Sequence, residues 1–300
     1  TGHLTAAENM ALDEAILEAR EESSIPDTIR FLSFKPHCAL AGYFQDVENE
    51  LRLDYCRKEN IDINRRITGG GSLYWGTSDI GWEIFASSDS FSSRISVFED
   101  YYRLFCSAAA AGINNFGISA GFRPRNDIEV NGKKISGSGG TSLKSCFMFQ
   151  GTLLVDIDLE VMLRALRVPV EKLKYREISS LRERITWLSR ETGYCPSRQE
   201  IIKNLIEGFS QYLGVDYYLD KLSKREKELF SRKIKYFSSR EHIYRIKEKK
   251  SIYDLKSIVK TKTGVLKTIA TVDGSRDILK SVLFTGDFII YPGKFIFDLE

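Results

Sequence analysis

The stretch TAAENMALDEAILEARE (5–21) repeats apolar residues at helical spacing. Met10, Ala11, Ala15, Ile16 and Leu17 make one face, and acids lie opposite. Thr5 with Glu8 fits a capping box at its start. TIRFLSF (28–34) alternates with period two and predicts a strand, which Pro36 ends. CALAGYFQD (38–46) is apolar and then turns, LRLDYCRKEN (51–60) predicts a short helix, and IDINRRI (61–67) a strand. SLYW and DIGWEIFAS (79–87) alternate as the arms of a further hairpin. A long helix is predicted over 95–113, a strand over 146–157, and helices over 159–166 and 198–214. Between 126 and 143 the pattern is strand, Asn131-Gly132 turn, strand, then a Gly/Ser loop. The charged run 222–250 predicts a helix running into a linker, and the last 50 residues alternate as strands around Asp273-Gly274. Helices mixed with hairpins predict an α+β class with a largely antiparallel sheet.

Two glycine-rich sites interrupt this pattern. In RRITGGGSLYWG (65–76) three glycines follow two arginines, between strands. Such a run permits positive φ and close backbone approach, and its amides can form an anion-binding nest. Arg65 and Arg66 alternate, so one of them can face the same concavity and pair with phosphate or carboxylate. A bulged hairpin with two surface arginines reads equally well. Neither the Walker pattern nor the dinucleotide fingerprint fits, since both need a helix directly after the loop. The second site, NDIEVNGKKISGSGG (126–140), sets Lys133 and Lys134 on opposite faces of a hairpin arm just before the glycines. A lysine beside exposed amides can hold an acyl carbonyl and a phosphate oxygen together, and can stabilise charge developing in acyl transfer.

Composition narrows the field. The chain has 300 residues and a formal net charge of +3, without the basic excess of a nucleic-acid-binding domain. No apolar run is long enough to span a membrane. Five scattered cysteines argue for reduced thiols in a cytoplasmic setting, and three distant histidines argue against a metal site. Acid–base or nucleophilic chemistry therefore rests on Lys, Asp, Cys or backbone groups.

Taken in order, RRITGGGSLYWG, RNDIEVNGKKISGSGG and QGTLLVDIDL resemble the motifs of the lipoate–protein ligase A family, in the biotin/lipoate ligase superfamily. NMALDEAIL, EKLKYREISSLRERITWL (171–188) and KYFSSREHIY (235–244) look like further family segments, so the likeness covers nearly the whole chain. It implies a catalytic domain of biotin/lipoate ligase type over 1–221, a linker over 222–250 and a small α+β accessory domain over 251–300. The strand-like ending FIFDLE suggests that the accessory domain is incomplete. The implied reaction joins lipoate and ATP, with Mg²⁺, into lipoyl-adenylate. The lipoyl group then passes to a lysine of an acceptor lipoyl domain, such as an E2 subunit or a glycine-cleavage H protein. The protein is expected to be a monomer. By motif position Lys134 is the clamp. Arg66, Gly69, Gly70, Gly71, Ser72, Leu73 and Tyr74 hold the phosphates or the adenylate, with Ser136 and Gly137 beside them. Asn126 and Asp127 bind Mg²⁺ or the adenosine side. Trp82 and Phe149 either line the dithiolane tunnel or belong to the core.

The sequence departs from the family at three places. Trp75-Gly76 stands for His-Asp, Gln150 for the His before Gly-Thr-Leu-Leu, and Gly139-Gly140 for an Ala-containing ending. A transferase carrying the acyl group on a cysteine thiolate is the first rival, with Cys146 as the cysteine nearest the motifs. Gly71 keeps the ligase form of the triplet. A non-catalytic binder of lipoyl domains is the second rival, and a biotin ligase the third. The basic segment from Arg245 to Lys262 serves either as a solvated linker or as a surface for acidic acceptors.

Overall fold

Helix α1 (Ala6–Glu21) starts at the expected capping box. The Thr5 hydroxyl accepts from the Glu8 amide at 3.3 Å, and the Glu8 carboxylate accepts from the Thr5 amide at 2.9 Å. The structure, a computed structural model, describes residues 1–95, 97–167, 182–248, 254–261, 264–276, 278–288 and 296. Most of the expected segment 171–188, and most of the FIFDLE ending, lie outside these residues.

The strands are β1 (His3–Leu4), β2 (Thr28–Phe34), β3 (Cys38–Ala41), β4 (Asp62–Arg65), β5 (Leu73–Trp75), β6 (Ile80–Ser87), β7 (Ala120–Arg123), β8 (Asp127–Val130), β9 (Lys133–Leu143), β10 (Cys146–Leu153), β11 (Asp254–Thr261), β12 (Gly264–Asp273) and β13 (Ile278–Gly286). The further helices are α2 (Val47–Glu50), α3 (Leu53–Lys58), α4 (Phe98–Asn114), α5 (Leu159–Ala165), α6 (Leu188–Thr192), α7 (Arg198–Leu213), α8 (Lys224–Phe237) and α9 (Arg240–Ile243). Seven strands form one sheet in the order β1-β2-β6-β10-β9-β8-β7, and β4-β3-β5 form a second, small sheet. Two pairings, β1–β2 and β3–β4, are parallel and the rest are antiparallel. The class is therefore mixed α/β, with mixed and antiparallel sheets and an additional small C-terminal unit.

The period-two pattern gives the large sheet two different faces. Phe31, Trp82, Ile84, Phe147 and Phe149 point to α4 and α7, where Phe105 and Phe209 complete the main core. Each large side chain buried there contributes about 1.5–3 kcal/mol. Trp82 and Phe149 are thus core residues, stacked at 5.9 Å. The opposite face carries Leu32, Phe34, Gly81, Glu83 and Gln150 toward α1 and the small sheet.

Polar groups lie buried on that second face as well. Arg30 Nη1 reaches Asp13 Oδ1 of α1 at 2.5 Å and Glu83 Oε2 at 2.9 Å. Burial, and then the neighbouring Glu83, hold the Asp13 carboxyl well above the usual range, against the opposing pull of Arg30. Asp13 therefore departs from the solvent-facing acids expected of α1.

Three other expectations change. β5 pairs with β3 rather than with β6, so SLYW and 79–87 are not one hairpin. The expected Gly/Ser loop after Lys134 is the middle of β9, paired with β10 through Gly139–Gln150 and Gly140–Phe149. The third concerns 222–250, where the expected helix is present as α8 but is packed and not free: it buries Leu229 and Phe237, and Asn64 Nδ2 donates to the Phe237 carbonyl at 3.0 Å. His242 is buried too and accordingly sits down at about 4, a neutral ring whose Nε2–H donates to the Arg65 carbonyl at 3.1 Å.

The β11-β12-β13 sheet stands apart. It meets the rest through Phe284, Leu266 and Phe288, which gather around Phe44. Phe44 and Phe288 stack at 4.8 Å, and the Thr285 hydroxyl donates to the Phe44 carbonyl at 2.7 Å.

Candidate active site

The glycine loop is held mainly by protein groups. Gly70 has φ +93°, a conformation that favours glycine. Its N–H donates to the Phe288 carbonyl at 3.2 Å. A Cβ on Gly42 would lie 1.9 Å from the Gly70 carbonyl oxygen, so two backbones touch here. Arg66 is buried and closes the loop from beneath. Its Nη2 donates to the Gly71 carbonyl at 2.8 Å and the Gly69 carbonyl at 3.2 Å, and its Nε to Thr68 Oγ1 at 3.3 Å. Burial takes this guanidinium down to about 10, still charged at neutral pH. Alternation sends Arg65 the other way, where its guanidinium donates to the carbonyls of Gly42, Tyr43 and Ile243.

A cavity of about 400 Å³ opens beside this loop. Of the expected residues, Arg66, Gly69 to Tyr74, Asn126, Lys134 and Gly137 line it. Lys134 is aimed by a register shift: Ile128 faces Ser136 while Glu129 faces Lys134, so Ile135 is an extra residue on β9. The Lys134 ammonium is 2.6 Å from Asp127 Oδ1. It lies over Gly137, where a Cβ would come within 2.8 Å of Nζ, so the missing side chain makes room for the lysine. Asn126 Nδ2 donates to the Ser138 carbonyl at 2.8 Å and braces the same strand.

Asp127 and Ser136 do not line the cavity. Ser136 is fully buried behind it. Asp127, expected as a Mg²⁺ ligand, instead pairs with Lys134. Among the described residues no group of three or more metal-ligating side chains forms.

The rest of the cavity wall escaped sequence reading. Met10, Leu32, Phe34 and Leu40 make it apolar, and Glu83 reaches it from the polar cluster. Leu32 and Phe34 do alternate in sequence, but alternation cannot tell a cavity wall from a core. All three departures from the family pattern put a residue on the cavity wall, through Trp75, Gln150 and Gly139. Gln150 Nε2 donates to Thr68 Oγ1 at 2.7 Å, tying β10 to the glycine loop.

All five cysteines are described, and none lines the cavity. Cys146 packs with Ile16, Leu17, Phe85 and Met148. Cys106 of α4 comes nearer, with its Sγ 3.2 Å from Ser138 Oγ, and burial pushes its thiol up to about 12. A helix packing onto β9 brings it there, which spacing along the chain conceals.

Asp79 anchors the turn after β5. It accepts from the Gly76 amide at 2.8 Å and the Val155 amide at 2.9 Å, yet burial outweighs these donors and pushes it up to about 7. The folded state thus holds this proton more tightly than the unfolded chain, whose value is near 3.8. Its stabilising contribution is complete below pH 4 and is lost as pH rises through 7. Asp79→Asn is expected to flatten that part of the profile, by on the order of a few kcal/mol. Urea melts of both proteins from pH 4 to 8 check this, and parallel curves would refute it.

The profile of the family described as "Lipoyl protein ligase A/B catalytic domain" matches residues 5–210. The chain is 27% identical to an octanoyltransferase LipM of Clostridioides difficile over 244 residues, covering 74% of this chain and 89% of the relative. It is 31% identical to lipoate-protein ligase A subunit 1 of Thermoplasma acidophilum over 238 residues, covering 75% and 88%. Among solved structures, a bi-partite lipoate protein ligase studied with its E2 lipoyl domain, from Thermoplasma acidophilum, superposes with TM-score 0.72 at 27% identity, covering 84% of this chain and 98% of that one. A lipoate-protein ligase A bound with ATP gives TM-score 0.68 at 27% identity, covering 80% and 96%. LipL1 of P. falciparum, solved with lipoate, gives TM-score 0.78 over 100% of this chain and 86% of its own; at 18% identity that shows the fold alone. Among the described residues no helix is long and apolar enough to cross a membrane.

Proposed function

The chain belongs to the lipoyl protein ligase A/B catalytic-domain family, whose members move lipoyl or octanoyl groups, and from that premise we propose that it is an ATP-dependent lipoate–protein ligase. The observation that carries this reading is a cavity with a fixed lysine and a glycine loop but no cysteine.

In the first step a lipoate carboxylate oxygen attacks the α-phosphorus of ATP, the bond to the β-phosphate breaks, and pyrophosphate leaves. In the second, the amine of an acceptor lysine attacks the acyl carbonyl, AMP leaves, and the amine loses a proton. Lys134 stabilises the charge that develops on the carboxylate and the α-phosphate, and the amides of Gly71 to Tyr74 support the phosphates. Asp127 positions the lysine. The apolar wall from Met10 to Leu40 takes the acyl chain. The acceptor is a lipoyl domain, the partner named for the Thermoplasma ligase.

We assign catalysis to residues 1–221 and an accessory role to the β11–β13 unit. Phe288 takes the Gly70 amide in this state, so a phosphate that used this amide would require Phe288 to withdraw. A shift of the unit between the two steps would free that amide, and this shift is part of the proposal. Ligand states of adenylation and transfer with one and the same interdomain angle would remove this part of the proposal.

The test is lipoate-dependent exchange of pyrophosphate into ATP, run beside ATP-independent octanoyl transfer from an acylated carrier domain. Exchange supports the ligase. Transfer without ATP favours the reading that the LipM relatives suggest. Cys106→Ala and Cys146→Ala are each expected to keep activity within about threefold, because neither thiol reaches the cavity. A loss of a hundredfold in either, with an acyl-thioester trapped on the wild type, would make the protein a thiolate transferase.

A further inference from the structure

The cavity crosses the large sheet strand by strand. It runs from Lys134 and Gly137 on β9, past Thr152 on β10 and Gly81 on β6, to Leu32 and Phe34 on β2. Both residues of the next strand, β1, are described and neither lines it, so on the sheet side the cavity ends at β2. One row of residues runs straight across this floor. Leu32 pairs with Gly81, and Gly81 with Thr152, whose hydroxyl oxygen accepts from the Gly137 amide at 3.1 Å. At the far end of the row Leu32 lies over Gly81, where a Cβ would meet Leu32 Cδ2 at 2.5 Å and Cγ at 2.8 Å. Leu32 is itself buried and packs in one cluster with Met10, Ala11 and Leu40.

We propose that Leu32, seated in the hollow left by Gly81, is the stop that sets the length of the acyl chain. The inference rests on the reading of this cavity as the acyl site, with the carboxylate at Lys134. The space over Gly81 is two strands from β9, and at the usual strand spacing it is about 10 Å from the lysine end. That is the reach of an extended octanoyl or lipoyl chain. A longer chain meets the Leu32 isobutyl group, which its close-packed neighbours keep from swinging away. Gly81 is the second half of the stop. With a side chain there, the leucine would have to rise into the cavity and shorten it.

The experiment measures the binding of hexanoate, octanoate and decanoate by calorimetry, without ATP, to wild type and to Leu32→Ala. In wild type, octanoate is expected to bind more tightly than hexanoate, by about fourfold for each added methylene. Decanoate overfills the cavity and should bind about tenfold more weakly than octanoate. Leu32→Ala removes three carbons from the end of the row, and decanoate should become the tightest of the three. A general packing defect would weaken all three acids together and leave the optimum where it was. A wild type that prefers decanoate to octanoate overturns the proposal without any variant having to fold. So does a folded Leu32→Ala whose optimum stays at octanoate, and both results leave the acyl site standing. A wild type that binds none of the three acids overturns the acyl-site reading, and the proposal with it.

Discussion

Lys134→Ala is expected to lower lipoate-dependent pyrophosphate exchange by about 10²–10³-fold, as removing one fixed electrostatic donor does in acyl-transfer sites. The reason lies in how the ammonium is held. The extra residue at Ile135 turns Lys134 into the cavity, Gly137 leaves space beneath it, and Asp127 fixes it at 2.6 Å. The Lys134 carbonyl also accepts from the Thr186 amide at 2.8 Å, so the strand itself is anchored. Alanine removes the charge and leaves the strand in place, so the loss should fall on the chemistry and not on folding. Lys134→Arg restores charge but not the compact single point, and should recover little. Asp127→Asn keeps the ammonium and loosens its aim, with a smaller drop. Matching melting curves for the three variants and wild type, with exchange intact in Lys134→Ala, would leave the lysine without the role assigned to it.

Gly42→Ala should do comparable damage by a different route. The new methyl would sit 1.9 Å from the Gly70 carbonyl oxygen, a distance that only backbone movement relieves. The Gly42 amide also donates to Gln45 Oε1 at 2.8 Å, and the Gly42 carbonyl accepts from Arg65, so the strand cannot simply shift away. A loss of about 2–4 kcal/mol in stability is expected, with exchange activity falling further because the loop carrying Gly70 and Gly71 is displaced. Gly70→Ala makes an informative contrast. Its Cβ would meet only Arg66 Nη2, at 3.6 Å, so space is adequate and the cost is the φ of +93°. That cost is about 1–2 kcal/mol. Urea denaturation of the two variants separates crowding from backbone strain, and a Gly42→Ala protein as stable as wild type would contradict the contact itself.

The question raised by three consecutive glycines has an answer with two parts. One glycine supplies the conformation, and the loop it belongs to is approached by Gly42 and by Phe288. The sequence indicated that something must come close but not that protein would do so. It likewise named Arg66 and Lys134 without indicating how they are held. Glu83 reaches the cavity beside residues of other strands, and Cys106 meets Ser138 through a helix packed on β9, neither of which spacing along the chain reveals.

What the sequence determined by itself is short-range. The Thr5–Glu8 box starts α1, the Asn131-Gly132 turn joins β8 to β9, and period two separates Arg65 from Arg66 and Lys133 from Lys134. The motif order also sufficed to point to the family. Tertiary structure alone decided which face of β6 and β10 became core and which became cavity, that Asp127 holds the lysine, that β5 joins β3, and that α8 packs against the catalytic sheets. The physical reason is that caps, turns and alternation depend on neighbours along the chain. Cross-strand pairing, a bulge that re-aims one side chain, and the touching of two backbones depend on register between distant segments, and packing against all the rest sets that register.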